Sequence, residues 1–222
     1  MRIKWYGHAS FLLVTNGVRI VTDPYNPAIV PFRPITDSAD IVIRSSDDDG
    51  GHNYAEVISG DPLIVTGTEI TDSGVTHSGI EFNAVAVKEH SEHPTHETPI
   101  DNSMYTIRSE GLCIGHMGDV GHVLSEEQIN SLRDCDVLLA LTGGFPTIDL
   151  DELDIAIQAI NPRVILPMHY AINNVDLGMH KIDAFTKRFS PDEVQDLHNN
   201  DINITKENIQ NLKKVILLEP VC

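Results

Sequence analysis

The chain has 222 residues, of which 15 are Lys or Arg and 33 are Asp or Glu, so its formal net charge is −18 at pH 7 with neutral His. Hydrophobic residues make up 41% of the chain, which is typical of a globular protein and excludes an acidic disordered one. The acidity also argues against a protein that binds duplex nucleic acid or an anionic membrane surface, because Lys and Arg hold phosphate groups.

The sequence contains no signal for a membrane span or for a disulfide framework. No run approaches the roughly 20 apolar residues that a span needs, and the short apolar run near the N-terminus contains His8, so we expect no signal peptide. The three cysteines, Cys113, Cys135 and Cys222, form no CxxC pair. These features predict a cytoplasmic protein without a cysteine-built zinc site.

The first half of the chain is predicted to form short strands, because runs of apolar and β-branched residues are separated by turn residues. Asn16-Gly17 stands between the second and third runs, and this pair is typical of a β-hairpin. The predicted strands cover residues 3–6, 10–14, 18–22, 41–43, 63–65, 80–87, 104–107 and 112–115.

Helices are predicted only in the second half. Residues 125–128 fit a capping box, residues 149–160 carry apolar side chains at helical spacing, and Ser190-Pro191 predicts the start of another helix. Further strands are predicted at residues 137–141, 164–166 and 215–218. Hairpins followed by an alternation of strands and helices predict one layered α/β domain over residues 1–222, with two β-layers and helices outside them.

Polar residues that could bind a metal follow the apolar runs, where strands end. They include Asp23, Asp47, Asp49, His52, His90, His116, Asp119 and His169. Side chains at strand ends can converge on one crevice. Imidazole and carboxylate together suit zinc, manganese or iron, depending on the geometry.

Five short motifs occur in a fixed order along the chain. They are Gly7–Phe11, Thr22–Tyr25, Gly115–His122, Gly143–Phe145 and Pro167–Tyr170. In the order and spacing of these motifs the sequence resembles the metallo-β-lactamase superfamily, in the branch of small stand-alone metal-dependent hydrolases related to the ascorbate-6-phosphate lactonases. The resemblance implies an αββα sandwich with the site at one edge of the two sheets.

The chain departs from this family in its metal-binding loop. Relatives often read HxHxDHNY where this chain carries residues 47–54, and only His52 of the ligands remains. Asp47 and Asp49 stand where the family has its two histidines, and Gly51 stands where it has the aspartate. We therefore expect Asp47 and Asp49 to act as replacement ligands.

Outside this loop, the resemblance assigns His90 as a later ligand, Asp119 as the bridging carboxylate and His169 as the final ligand. The residues expected to surround or orient the ligands are His8, Asp23 and His116. The implied metal sites are a first site of Asp47, Asp49 and His90, and a second site of His52, Asp119 and His169. We expect one or two divalent ions, zinc or manganese, with iron as a further possibility.

The resulting hypothesis is a metal-dependent hydrolase that cleaves an ester, lactone or phosphoester bond of a small molecule, with Asp119, His52 and Asp49 as catalytic residues. The alternative is a degenerate member of the family that binds a ligand or partner without turnover, because three loop ligands are replaced. Redox chemistry at an iron site with two His and one carboxylate is a third hypothesis. The sequence leaves the oligomeric state open.

Overall fold

The computed structural model describes residues 1–47, 50–92, 98–172 and 178–221. The strands in these residues are β1 (Arg2–Gly7), β2 (Ser10–Thr15), β3 (Val18–Thr22), β4 (Ile41–Arg44), β5 (Leu63–Thr66), β6 (Val75–His77), β7 (Ile80–Lys88), β8 (Asp101–Ser109), β9 (Leu112–His116), β10 (Val137–Leu141), β11 (Val164–Met168), β12 (Val194–Asp196), β13 (Asp201–Asn203) and β14 (Val215–Leu217). The α-helices are α1 (Glu126–Leu132), α2 (Leu150–Ile160) and α3 (Asp183–Thr186). Single 3-10 turns lie at Ala55–Val57, Gly67–Glu69, Pro191–Glu193 and Ile209–Asn211.

The strands form two sheets. One has six strands in the order β13-β1-β2-β3-β4-β5, and the other has eight in the order β12-β14-β11-β10-β9-β8-β7-β6. Strands β3, β4 and β5 are parallel in the first sheet, and β9, β10 and β11 are parallel in the second. Each sheet therefore brings several carboxyl ends of strands to one edge, where loops can place functional side chains.

The turn chemistry read from the sequence is confirmed. Asn16 and Gly17 both have positive φ, at 49° and 78°, as a two-residue hairpin between β2 and β3 requires. Ser125 and Gln128 form a capping box at the start of α1. Helix α2 ends at Asn161, whose backbone is left-handed.

The helix predicted from Ser190-Pro191 is wrong in extent. The capping box is present, but it begins only the 3-10 turn Pro191–Glu193. The chain then enters β12, because Val194–Asp196 pairs with β14 in parallel. Tertiary pairing overrides the local helix-start signal here.

Successive side chains of the six-stranded sheet point to opposite faces, and they pack into two separate hydrophobic cores. Side chains such as Ile20 and Ile43 belong to the large cluster that also contains the buried face of α2, whereas Val21 and Val42 face a smaller cluster. In the described residues, this smaller cluster is completed by apolar side chains from the irregular segment 25–39 and by Ile58. The outer face of the six-stranded sheet is therefore covered by this segment, whereas α1 packs on β7 and β8 of the eight-stranded sheet and α2 packs against α1.

The large cluster contains buried side chains from both ends of the chain, Met1 and Leu218, together with strands of both sheets. A core shared in this way is typical of one domain, and the single domain over residues 1–222 stays a prediction. None of the helices in the described segments is long and apolar enough to cross a membrane.

Asp37 forms a polar cluster beside the smaller core, and this cluster predicts a pH dependence of stability. Burial raises the pKa of Asp37, but hydrogen bonds from Lys4 Nζ (2.7 Å) and Tyr6 Oη (2.6 Å) and the nearby Arg19 charge outweigh it, so the pKa lies below its usual value. Asp37→Asn should lower the free energy of unfolding at pH 7 by about 1 kcal/mol, because the carboxylate is one third exposed and partly screened.

A depressed folded-state pKa stabilises the protein above the unfolded-state pKa, which is about 4 for Asp. The difference between wild type and Asp37→Asn should therefore shrink as the pH falls below about 4, through the folded-state pKa. Urea unfolding of both proteins between pH 7 and pH 3 measures it. A difference that is constant over this range would contradict the assignment.

Candidate metal centre

The residues of the candidate site lie at one edge of the two sheets, in loops that follow strands. In the described residues they are His8 after β1, Asp23 after β3, His52 after β4, Asp119 after β9 and His169 after β11. The two sheets are joined at this edge, because the His169 amide donates to the His8 carbonyl oxygen over 3.1 Å. The motifs that are far apart in sequence thus meet in one place.

Three histidines come together at this edge. One ring nitrogen each of His8, His52 and His169 lies within 4.8 Å of those of the other two, and all three side chains are buried. The ring centroids of His8 and His169 are 4.1 Å apart, and those of His8 and His52 are 4.7 Å apart. Three buried imidazoles at this spacing are able to share one metal ion.

Asp119 adds a carboxylate to this group. Its Oδ1 lies 3.3 Å from Nε2 of His169 and 3.6 Å from Nε2 of His52, and the side chain is buried. Within the described residues, Asp119 Oδ1 and His8 Nδ1 are buried without a hydrogen bond. Such atoms cost free energy unless a partner satisfies them, and a cation bound between the rings would do so.

His52 is oriented by Asp23. Its Nδ1 lies 3.1 Å from Asp23 Oδ2, and both side chains are almost fully buried. An ionised Asp23 accepts the Nδ1 proton and leaves the Nε2 lone pair directed towards Asp119. A carboxylate that holds the distal nitrogen of a histidine in this way is the usual support of a metal ligand.

Asp23 is itself fixed by further donors. Ser45 donates from its amide to Oδ1 (2.9 Å) and from its hydroxyl to Oδ2 (2.7 Å), and the Tyr105 hydroxyl donates to Oδ1 (2.9 Å). Burial raises the pKa of Asp23, but the neighbouring His116 and His52 and the hydrogen bonds outweigh it, and the pKa lies below its usual value. Asp23 is therefore a buried carboxylate that remains ionised.

His116 stacks on Tyr105, one of the donors to Asp23, and both of its ring nitrogens form hydrogen bonds. Nε2 lies 2.9 Å from the Ala9 carbonyl oxygen and donates to it, while Nδ1 accepts from the Gly118 amide at 2.9 Å. The ring stacks on Tyr105 at 4.6 Å, and burial lowers the pKa of His116. A neutral imidazole with both nitrogens in use supports the loops of the site and does not offer a ligand atom.

The His8 ring offers a ligand atom that the sequence analysis did not expect of it. Burial, followed by the proximity of His169 and His52, lowers the pKa of His8 well below its usual value, so the ring is neutral, as metal binding requires. The family pattern places His8 only near the site, because it assigns no ligand to this position. Its position directly after a strand, in the Gly7–Phe11 motif, was the available signal.

Three residues of the site have left-handed backbone: Asp23 (φ 37°), His8 (φ 50°) and His169 (φ 54°). Such a conformation costs of order 1–3 kcal/mol for a residue other than glycine, and it clusters at functional sites. The surrounding structure holds these three side chains where an unstrained strand end would not place them.

The predicted first metal site is not assembled in the described residues. Asp47 is exposed, and Asp49 lies outside the described part of the chain. The Nδ1 atom of His90 accepts from the Glu92 amide at 3.0 Å, and its ring stands edge-on to Phe145 at 5.1 Å. A site of Asp47, Asp49 and His90 therefore stays a prediction, whereas His52, Asp119 and His169 of the predicted second site lie together.

Comparison with known proteins identifies the family of the chain. A family model described as the beta-lactamase superfamily domain matches residues 2–169. The UPF0173 protein of Pyrococcus abyssi is 32% identical over 77% of this chain and 83% of its own length, and the UPF0173 metal-dependent hydrolase of Thermoplasma acidophilum is 28% identical over 80% and 85%. The crystal structure of a candidate Zn-dependent hydrolase of the metallo-beta-lactamase superfamily from Thermotoga maritima covers 98% of each chain at 28% identity, with a TM-score of 0.77.

Proposed function

The chain belongs to the beta-lactamase superfamily domain family, and on this basis we propose that it is a metal-dependent hydrolase with one metal held by His8, His52, His169 and Asp119. The convergence of three buried imidazoles with the Asp119 carboxylate is the observation that carries the proposal. Three nitrogens and one oxygen are a donor set that zinc accepts, and manganese or iron accepts subsets of it. His8 Nδ1 and Asp119 Oδ1, which are buried without a hydrogen bond among the described residues, fit a bound cation.

A bound metal of this kind lowers the pKa of water and polarises the bond that is cleaved. The residues of the chain have separate tasks around it. His8, His52 and His169 would hold the metal through ring nitrogens, and Asp23 keeps the His52 ring in one tautomer and orientation. Asp119 would contribute its carboxylate to the metal and would be the nearby group able to accept a proton from water during hydrolysis.

Gly51 removes the carboxylate that the family carries in the metal loop, so Asp119 takes over its proton-accepting task in this proposal. Asp49, outside the described residues, remains the alternative acceptor. A small-molecule ester, lactone or phosphoester is the proposed substrate class. The cytoplasmic location and the absence of duplex nucleic acid among the partners stay predictions that rest on composition.

Metal analysis of the purified protein tests the centre. We expect about one zinc per chain after zinc loading, and His8→Ala should lower the affinity at least about 10-fold, because one of three nitrogen ligands is lost. His77→Ala is the matched control, since His77 is a histidine of the outermost strand β6 of the eight-stranded sheet. Equal zinc affinity of His8→Ala and His77→Ala would exclude His8 as a ligand.

A screen with carboxylic ester, lactone and phosphodiester substrates tests the activity of the loaded protein. Hydrolysis that is lost in an Asp119→Ala, His169→Ala double variant supports the proposed mechanism, and unaltered hydrolysis contradicts it. Tight metal binding without turnover of any substrate would instead favour the second candidate, a family member that binds without catalysis. The replaced histidines at Asp47 and Asp49 and the missing carboxylate at Gly51 are the observations behind that candidate.

A further inference from the structure

An exposed aromatic ring stands beside the His169 loop. Phe145 follows β10 and leaves 42% of its surface exposed. The backbone two residues before it is packed directly on the site, because a Cβ at Gly143 would lie only 2.1 Å from the His169 carbonyl oxygen. The His180 amide donates to the Gly143 carbonyl oxygen at 2.8 Å and closes this loop. The loop that carries Phe145 is therefore held against His169 by the backbone of Gly143.

The same ring also borders the loop that carries Asp119. His90 contacts the Phe145 ring edge-on, and its backbone lies against Gly121, where a Cβ would be only 2.2 Å from the His90 nitrogen. Gly121 is two residues beyond Asp119. Phe145 thus stands between the loops of two members of the proposed metal centre.

A second exposed apolar side chain borders the loop that leads to His52. Ile29 is 61% exposed, and its Cδ1 lies against Gly50, where a Cβ would come within 2.6 Å. The Asn26 amide donates to the Gly50 carbonyl oxygen at 2.9 Å and ties the two segments together. Gly50 is two residues before His52.

From these contacts we infer that Phe145 and Ile29 form an apolar rim that binds the acyl chain of a neutral carboxylic ester or lactone. The inference rests on the proposed hydrolase function and narrows its substrate class. Rigidly held apolar side chains at the mouth of a polar site gain free energy when a ligand removes them from water. In the reaction, water adds to the carbonyl carbon, the ester C–O bond breaks, and a carboxylic acid and an alcohol leave.

The charge of the chain favours a neutral substrate over a phosphoester. A net charge of −18 disfavours the approach of an anionic substrate to the protein. The proposed metal would balance part of the charge of a phosphoester, and the bridge between Ala171 and Lys181 places one exposed lysine opposite a residue two positions beyond His169. Lys181 is therefore the residue whose removal tests the competing class.

The inference is tested by the dependence of hydrolysis on acyl length in the zinc-loaded protein. We expect kcat/KM to rise from 4-nitrophenyl acetate to 4-nitrophenyl octanoate. Phe145→Ala should lower kcat/KM for the octanoate about 10-fold and that for the acetate less than about 2-fold, because only the long chain reaches the ring. Ile155→Ala, which truncates a 65% exposed side chain on α2, is the control and should change neither.

A binding measurement separates this inference from the proposed function. Saturation-transfer NMR with methyl octanoate should show the alkyl chain in contact with the wild-type protein, and Phe145→Ala should lose this signal. If methyl octanoate binds but no ester is hydrolysed, the hydrolase function is refuted while acyl-chain binding by Phe145 and Ile29 is supported. Turnover that is independent of acyl length would contradict acyl-chain binding by Phe145 and Ile29. A preference for bis(4-nitrophenyl) phosphate that Lys181→Ala abolishes would also contradict it.

Discussion

Asp23→Asn should weaken zinc binding by about 10- to 100-fold, although Asp23 does not belong to the three-imidazole group. The ionised carboxylate holds the Nδ1 proton of His52 and so directs the Nε2 lone pair towards Asp119. The amide lacks the negative charge and offers only one acceptor oxygen. The imidazole becomes less basic and less firmly oriented, and both changes reduce its strength as a ligand.

The same substitution should lower the free energy of unfolding of the metal-free protein by about 1–3 kcal/mol, because buried donors lose their acceptor. Ser45 and Tyr105 together give Asp23 three hydrogen bonds, and one amide oxygen cannot accept them all. Asparagine tolerates the left-handed backbone at this position, so the effect reports the charge and the hydrogen bonds and not the φ angle.

Competition with a chelator gives the zinc affinity, and urea unfolding of the metal-free protein gives the stability. Asp37→Asn is the matched control, since Asp37 is also a carboxylate with several donors, namely Lys4, Tyr6 and Arg19, and none of these belongs to the site. We expect Asp37→Asn to leave zinc affinity unchanged. An Asp23→Asn protein with wild-type zinc affinity would show that His52 needs no such support.

Gly118→Ala should be among the most destabilising glycine-to-alanine substitutions in this protein, and it should lower the free energy of unfolding by about 3 kcal/mol or more. Gly118 has φ +57°, and a Cβ there would lie 2.2 Å from the Ser103 carbonyl oxygen and 2.5 Å from Asn102 Oδ1. Neither a carbonyl nor a buried amide can move away cheaply. The backbone must shift, and the next residue along it is Asp119.

Asn102 links this clash to the metal centre. Its Oδ1 accepts hydrogen bonds from the amides of Asp119 (3.1 Å) and Ser103 (2.8 Å), and its Nδ2 donates to Glu89 (3.0 Å). A displaced Asn102 releases the Asp119 backbone, so we expect Gly118→Ala to lose zinc affinity as well as stability.

Gly79→Ala is a control that has the cost of a left-handed alanine backbone but no steric clash of the added Cβ. Gly79 has φ +74°, and its added Cβ meets no atom within 4 Å. This control should lose only the roughly 1–2 kcal/mol that a left-handed alanine costs, with unchanged zinc binding. If thermal and urea unfolding gave equal losses for the two variants, the close packing of Gly118 on Ser103 would be refuted.

Local sequence signals were sufficient for most of the fold. The Asn16-Gly17 hairpin, the capping box at Ser125 and the apolar stripe of α2 each depend on neighbours within a few residues, so the sequence displays them directly. Short edge strands such as β12 and β13 gave no such signal, because they are stabilised by distant partners. The helix predicted from Ser190-Pro191 is wrong in extent for the same reason, because the following residues pair with the distant strand β14.

The candidate site divides in a similar way. His52, Asp119 and His169 were predicted from motifs and lie together, and Asp23 was predicted to orient a ligand and contacts His52. The position of the His8 ring beside His52 and His169 could not be predicted from the sequence, because it depends on the approach of two sheets whose strands are far apart in the chain.

The sequence by itself determined the metal chemistry that is available: buried-strand patterns, histidines and aspartates where strands end, and an acidic surface unsuited to anions. Tertiary structure decided which of these side chains share one site. It brought His8 to His169 through a backbone hydrogen bond between sheets, and it left Asp47 exposed on its loop. The physical reason is that a ligand set requires side chains from separate loops within a few ångströms of one another, and that proximity results from the packing of the whole sandwich.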